Sequence, residues 1–385
     1  MVKIKRTEPL SPAASGLLRR SASGDNRDLR CHCDPRTTAP RAFRGEAISA
    51  GAAAVPIVGS SPLGASELVA WVLHDGKAGM RSQALGLAEA TGFRIAEKPL
   101  SIRFPWSLLP PQLWLLPQFA ARETLAPPWP DLVIGCGRNT ALPCLLIRRA
   151  SGGRTVAAQV QDPRVGREEF DLMVVPEHDR LRGPRVLVTR GATHRITEEK
   201  LREARAHFPA LVSMPRPVVT ALIGGSNRTY RLSEKRLGEI ADSLAALLRQ
   251  TGGSLLLTGS RRTGEAGLRL LRARLQGLPA EIWDGTGENP YIAYLAFADA
   301  FLVTADSVSM VSEAAATGKP VHIIDLPGGN AKFARFHAGL RAAGVTRPFA
   351  GRVESWTYPP PGDTIRAGAR LRALVLERMA ARERA

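Results

Sequence analysis

The sequence predicts an α/β protein made of two doubly wound domains, and three observations predict it. Short apolar runs recur between stretches of helix-formers, as parallel strands buried on both faces require. Glycine-rich turns follow several of these runs, the punctuation of a strand-loop-helix unit. Two prolines in three residues, in Met214-Pro215-Arg216-Pro217, divide one such alternating set from a second. With 385 residues the chain is long enough for two domains of about 150 residues plus extensions.

Residues 1–66 come first and read as Ser, Pro, Ala, Gly and Arg without a sustained hydrophobic period. Such a segment buries too little apolar area to offset its ordering entropy, so it is expected to be a disordered extension dispensable for folding. It has no apolar h-region and is not read as a secretory signal. A targeting arm and a start codon assigned upstream of the real protein are the two readings left for it.

Ordered protein is expected from Leu68-Val-Ala-Trp-Val-Leu73, a strand that meets the loop His74-Asp75-Gly76-Lys77-Ala78-Gly79 and then a helix from Arg81 to Ala90. Asp131-Leu-Val-Ile-Gly135, Thr155-Val-Ala-Ala-Gln159, Asp171-Leu-Met-Val-Val175 and Arg185-Val-Leu-Val-Thr189 continue the set as strands. The first domain is thus 67–214. After the prolines, Val218-Val-Thr-Ala-Leu-Ile223 is a strand and Gly224-Gly225-Ser226 its loop. Leu237, Ile240, Ala241, Leu244 and Leu248 follow as one apolar stripe at helical spacing. Ser254-Leu-Leu-Leu-Thr258, Ala300-Phe-Leu-Val-Thr304 and Val321-His-Ile-Ile-Asp325 supply further strands, and the second domain is 218–352. Within 353–385 a last helix offers Ile365, Leu371, Leu374, Val375 and Leu376 to one face. The proline linker between the two Rossmann-like domains is expected to act as their hinge.

Composition narrows the function classes. No run approaches 20 apolar residues, the length of about one membrane-spanning helix, so a transmembrane segment is excluded. Four cysteines, Cys31, Cys33, Cys136 and Cys144, are too few for a disulfide framework and point to a reducing, cytoplasmic compartment. Cys31 and Cys33 flank a single histidine, His32, which does not make a zinc site, and no metal is expected. Net charge is +18, with eight lysines among 53 basic residues and no Lys/Arg block, so nucleic acid is not expected as a partner. Dispersed arginine suits anionic small molecules or an anionic membrane surface, and equally a solvated basic face.

The most informative stretch runs from Ala305 to Pro320. Asp306 or Ser307 caps a helix that starts at a strand's carboxyl end, and Gly318 and Pro320 close it. Such a helix N-terminus is an anion site by virtue of its free N–H groups and dipole. Glu313, about two turns in, is within reach of a ribose, or else lies on a solvated face. Arg261 and Arg262, after another strand end, could neutralise a leaving diphosphate, or simply be exposed. No Asp-x-Asp occurs that would hold a divalent metal on a diphosphate. His74 and Asp75 end the first strand. His74 suits the role of general base and Asp75 that of its orienting partner or of the base itself; capping by Asp75 is the alternative. Pro176-Glu177-His178-Asp179 is a second candidate group at another strand end.

Residues 102–119 hold Phe104, Trp106, Leu108, Leu113, Trp114 and Phe119, with four prolines that forbid a spanning helix. The segment is either a loop buried against its own domain or a peripheral membrane contact through Trp106 and Trp114, on the inner face of the membrane.

The Ala305–Pro320 stretch resembles the nucleotide-sugar signature of GT-B glycosyltransferases, including the N-acetylglucosaminyltransferase that makes the undecaprenyl-linked peptidoglycan precursor. The resemblance implies a GT-B-like pair of domains facing a cleft, with a nucleotide-diphosphate sugar as substrate and no cofactor. It matches Ser307 and Ser309 to the turn and helix start that hold the diphosphate, and Glu313 to the ribose ligand; Asp306 and Met310 are candidate donor-binding residues beside them. Gly224 and Gly225 match the loop that approaches the donor; Ser226, Ser260, Arg261 and Arg262 are further candidate donor-binding residues.

From Leu68 to Arg352 the chain more closely resembles the mitochondrial-fission "elongated mitochondria" family, many bacterial members of which are described as nucleoside-diphosphate-sugar epimerases. The matching blocks are His74-Asp75-Gly76-Lys77-x-Gly79 with Gln83, Asp131-Leu-Val-Ile-Gly-Cys-Gly-Arg138, Gln161-Asp-Pro-Arg164, Pro176-Glu-His-Asp179, Thr258-Gly-Ser-Arg-Arg-Thr263 and Asp306-Ser-Val-Ser-Met310. A glycosyltransferase that moves a sugar from a nucleotide-sugar donor to an unknown acceptor, with a lipid-linked, membrane-associated acceptor as one option, is the leading expectation. A nucleotide-sugar epimerase and a non-catalytic adaptor in membrane fission or envelope processes stand beside it.

Overall fold

The computed structural model describes residues 67–123 and 125–384; the expectations for residues 1–66, including Cys31 and Cys33, lie outside them. Six parallel strands form the first sheet: β1 (Val69–His74), β2 (Arg94–Pro99), β3 (Leu132–Cys136), β4 (Val156–Val160), β5 (Leu172–Pro176) and β6 (Val186–Thr189), in the order β2-β1-β3-β4-β5-β6. The second sheet repeats the plan with β7 (Val218–Ile223), β8 (Ser254–Gly259), β9 (Ala280–Ile282), β10 (Ala300–Thr304), β11 (Val321–Ile324) and β12 (Thr346–Pro348), ordered β12-β11-β10-β7-β8-β9. It too is parallel throughout.

The central strands are the apolar runs of the sequence: β3, β4, β5, β7 and β10 are buried along their whole length, with helices on both faces. Those helices are α1 (Ala78–Glu89), α2 (Arg138–Ala150), α3 (Glu198–His207), α4 (Glu234–Thr251), α5 (Gly264–Leu275), α6 (Tyr291–Phe297), α7 (Val308–Ala315), α8 (Ala331–Ala342) and α9 (Asp363–Glu383). In each sheet the strand order reverses once, between β1 and β3 and between β7 and β10. Such reversals leave a crevice beyond the carboxyl ends of the strands, where ligands of open α/β sheets bind.

Two features differ from the sequence expectation. The chain crosses to the second half well before the prolines: Ile196 and Leu201 are buried in the second core, and Phe208, Leu211 and Met214 pack against it. The hinge expected at Met214–Pro217 is therefore pinned. Ser254 donates to the Pro215 carbonyl at 2.7 Å, Arg216 pairs with Asp299, and the Val218 N–H donates to Asp299 Oδ2 at 2.7 Å. Helix α9, in turn, returns to the first half and buries Ala367, Leu371 and Val375 against Val72, Ile134 and Ala158. Leu374 and Leu376 pack at the edge of that cluster, but Ile365 is 70 % exposed and does not belong to the apolar face assigned to it.

Of the two readings of residues 102–119, burial of the tryptophans holds in full for Trp114 and in part for Trp106. Trp114 is buried and Trp106 half-buried, and their indole N–H groups donate to the Leu115 and Leu109 carbonyls of the same loop: Trp106 to Leu115 at 2.7 Å, Trp114 to Leu109 at 3.1 Å. Neither tryptophan is the exposed membrane anchor of the other reading; the leucines and phenylalanines around them are what face outward. Among the described residues no helix is long and apolar enough to cross a membrane.

Candidate functional site

The carboxyl ends of the two sheets meet across the seam between the halves, and the sequence-predicted residues lie along it. On the first side, β1 ends at His74 and turns through Gly76, whose φ of +76° is a conformation that favours glycine. His74 is buried, accepts the Gly76 N–H on Nδ1 at 3.3 Å and places Nε2 3.3 Å from Glu97 Oε2 on β2. With Nδ1 accepting, Nε2 carries the proton and donates to Glu97, so neither ring nitrogen is left to take a substrate proton. Glu97 is shared with Arg81, which binds it at 2.6 and 2.7 Å and holds its carboxyl below the usual carboxylate range.

Asp75 does not orient His74. Its Oδ2 receives Lys77 Nζ and, at 3.3 Å, Asn139 Nδ2 from the start of α2, while its Oδ1 is buried without a partner. Of the alternative candidates, His178 and Asp179 form a contact between the halves, and Glu177 is exposed beside them. Asp179 pairs with Lys332 on α8, Arg335 donates to the His178 carbonyl at 2.9 Å, and the His178 ring meets Phe336 edge-on at 5.2 Å. Burial pushes the His178 imidazole down to about 4, so it is neutral at physiological pH.

On the second side, β10 runs into Ala305-Asp306-Ser307 and then α7. Ser307 caps that helix by accepting the Met310 N–H at 3.3 Å, as the sequence allowed, and Met310 itself packs against the second core. The Val308 and Ser309 N–H groups have no partner among the described residues, which leaves two donors at the positive end of the helix dipole.

Asp306 works differently from the expectation. Its fully buried side chain accepts the Gly225 N–H at 3.0 Å and Arg262 Nη2 at 2.5 Å. A Cβ on Gly224 would lie 2.2 Å from Asp306 Oδ1, and one on Gly225 would lie 2.4 Å from the Arg262 carbonyl. The glycines thus make room for Asp306 and Arg262, so the close approach is internal. Gly225→Ala should cost about 1–3 kcal/mol, because Arg262 backbone must move; a thermal melt reads it, and an unchanged midpoint would remove this packing role.

Ser226 and Ser260 are occupied by local turns. Ser226 Oγ accepts the Leu232 N–H at 2.9 Å, and Ser260 Oγ accepts the Arg262 N–H at 3.2 Å. Arg261 is exposed at the same turn.

Side chains of α1 reach across the seam onto α7. Gln83 Nε2 donates to Ser309 Oγ at 3.2 Å and Ser82 Oγ to Glu313 Oε1 at 3.1 Å. Tyr291 donates to Glu313 Oε2 at 2.5 Å. Glu313 is buried, not on a solvated face; burial raises its pKa while the bonds from Tyr291 and Ser82 pull the other way. Gln161, just past β4 at φ +70°, donates to Gln83 at 3.2 Å and extends the network along the first sheet. Sequence reasoning missed Ser82, Tyr291 and Asn139 as site residues. Ser82 stands beside the motif residue Gln83, but nothing local marks Tyr291. No group of three or more His, Cys, Asp or Glu side chains among the described residues is placed to hold a metal ion.

The family model described as Mitochondrial fission ELM1 matches residues 78–375. The chain belongs to this family. A curated relative named Mitochondrial fission protein ELM1, from Arabidopsis thaliana, is 36 % identical over 280 residues, covering 66 % of this chain. The chain spans 65 % of that relative's length. An uncharacterized protein of Rickettsia prowazekii, RP120, is 25 % identical over 343 residues, 75 % of this chain and 94 % of its own. Among solved structures, the UDP-GlcNAc 2-epimerase of Methanocaldococcus jannaschii superposes with a TM-score of 0.50 at 14 % identity, over 80 % of this chain and 99 % of that one. The fold is GT-B-like.

Proposed function

We propose that this member of the family is a metal-independent glycosyltransferase that takes a sugar from a nucleotide-diphosphate donor. The observation that supports it most is the start of α7. Two N–H groups without partners stand at the carboxyl end of β10, at the reversal point between β7 and β10, on a helix capped by Ser307. A diphosphate there would take the Val308 and Ser309 N–H groups, with the exposed Arg261 available to neutralise it as it leaves. Ribose hydroxyls would replace Ser82 as donors to Glu313, and a ligand would displace Gln83 from Ser309, so its entry loosens the seam. Of the two candidate bases, Asp75 is preferred to His74, since Asp75 keeps one carboxylate oxygen without a partner. The first half would hold the acceptor, lipid-linked acceptors included.

A second reading draws on the same contacts. Because α1 already satisfies Ser309 and Glu313, the closed seam also suits a non-catalytic adaptor. A panel of nucleoside diphosphates and nucleotide sugars separates the two by thermal shift, since a ligand at ~100 times its Kd adds about 2.7 kcal/mol. With the best donor, free nucleoside diphosphate should form only when an acceptor is present. Inversion of the sugar without acceptor identifies an epimerase of the same fold, and no shift with any nucleotide identifies the adaptor.

A further inference from the structure

The connection from β2 to β3 carries chemistry that the seam does not use. From Lys98 to Arg122 the sequence has no acidic residue and three bases, Lys98, Arg103 and Arg122. Within it Phe104, Leu108, Leu113, Leu115, Leu116 and Phe119 are 57–82 % exposed, whereas elsewhere among the described residues only Val212 and Ile365 are exposed large hydrophobics. Scattered apolar residues on a surface need no explanation, but a concentrated patch marks an interaction site.

The display is built. At the base of the loop the Arg103 N–H donates to the Ala120 carbonyl at 2.8 Å and the Arg122 N–H to the Ser101 carbonyl at 2.9 Å. The Ser101 N–H donates to Glu123 at 2.8 Å. Between these ends run three 3-10 turns, Trp106–Leu108, Pro111–Leu113 and Pro117–Phe119. The polar indole N–H groups of Trp106 and Trp114 are turned inward onto loop carbonyls while the leucines point out. Leu116 adopts a left-handed φ of +50°, rare for its type, and is 62 % exposed. A loop evolved only to face water has no reason to brace itself in this way.

We infer that this platform docks on an anionic lipid bilayer, its leucines and phenylalanines entering the interfacial region while Arg103 and Arg122 meet lipid phosphates at its base. Charge complementarity selects this occupant: the tip from Phe104 to Phe119 has no charged side chain, and at its base Arg103 and Arg122 outnumber Glu123, which matches an anionic headgroup layer over hydrocarbon. The inference stands independently of the nucleotide-sugar reading.

The test is sedimentation of the full chain with vesicles of phosphatidylcholine alone and of phosphatidylcholine mixed with phosphatidylglycerol. The parent should sediment with the anionic vesicles, and the fluorescence of the half-buried Trp106 should shift to the blue on contact. Leu108→Ser/Leu115→Ser/Leu116→Ser should lower the partition coefficient by about tenfold or more with an unchanged Tm, since these side chains are exposed. Arg103→Gln/Arg122→Gln should reduce the preference for anionic over neutral vesicles, and Val212→Ser/Ile365→Ser should change neither. A parent that stays in the supernatant with no fluorescence shift would overturn the inference, as would a triple variant that sediments like the parent. So would a parent dimer that the triple variant turns into a monomer, because the patch would then be covered by a second copy of this chain.

Discussion

Asp171→Ala should cost about 3–5 kcal/mol of folding stability, the range for breaking a buried ion pair from one side. The Asp171 side chain is 8 % exposed and holds Arg148 of α2 at 3.1 Å, Arg378 of α9 at 2.6 Å and the Ala157 N–H of β4 at 2.9 Å. Its loss takes the carboxylate from both guanidinium groups, leaves Arg378 only the Gly153 carbonyl, and loosens the C-terminal helix from the first sheet. Burial alone would raise the Asp171 pKa, but the bonds from Arg148, Ala157 and Arg378 hold it below the usual carboxylate range. The folded chain therefore binds this proton less tightly than the unfolded chain. The stability it contributes is present above the ordinary aspartate range and is lost as the pH falls through the lowered native value. Urea melts at neutral and acid pH read both effects: the variant should be far weaker at pH 7, and the gap should close in acid. Equal midpoints at pH 7 would show that α9 is held by its apolar face alone.

Glu313 carries the opposite sign. Its pKa is raised chiefly by burial, so the folded state binds the proton more tightly; the stability this gives is full below the ordinary glutamate range and is lost as the pH rises through the raised value. Glu313→Gln keeps one acceptor oxygen for Tyr291, turns the other position into an amide N–H that the Ser82 hydroxyl can accept, and removes the buried charge, so it should be at least as stable as the parent at neutral pH. Glu313→Ala leaves the Tyr291 hydroxyl without its acceptor and should lose about 1–3 kcal/mol. Thermal melts of the two variants decide it. A glutamine variant that melts well below the parent would mean that the charge itself holds the seam.

The central strands were legible because burial on both faces writes a continuous apolar run, as in Leu132–Cys136 and Val218–Ile223. The edge strands β2, β9 and β12 were not: Arg94–Pro99 has no fully buried residue, does not alternate strictly and carries three charges, which reads as loop. The Ser307 cap was legible because a cap is a local arrangement of neighbouring residues. The burial of Glu313 was not, since it depends on Ser82, 231 residues away in the chain, and on Tyr291. For the same reason the glycines at 224 and 225 announced a tight loop without revealing that Asp306 and Arg262 fill it. The crossing between halves was misplaced because the prolines at 215 and 217 mark where the chain stiffens, and the apolar residues before them already belong to the second core.

Calorimetric titration of the parent, Glu313→Gln and Glu313→Ala with the nucleoside diphosphate that stabilises the parent best tests directly whether the start of α7 holds a donor. Bonds from ribose hydroxyls to a carboxylate contribute about 1.5–3 kcal/mol. Glu313→Ala should therefore bind roughly ten- to a hundredfold more weakly, at about 1.4 kcal/mol per decade. The glutamine variant should fall between it and the parent, with its fold intact. The same affinity in all three chains, with Glu313→Ala still folded, would contradict a ribose at Glu313 and with it a donor on this helix.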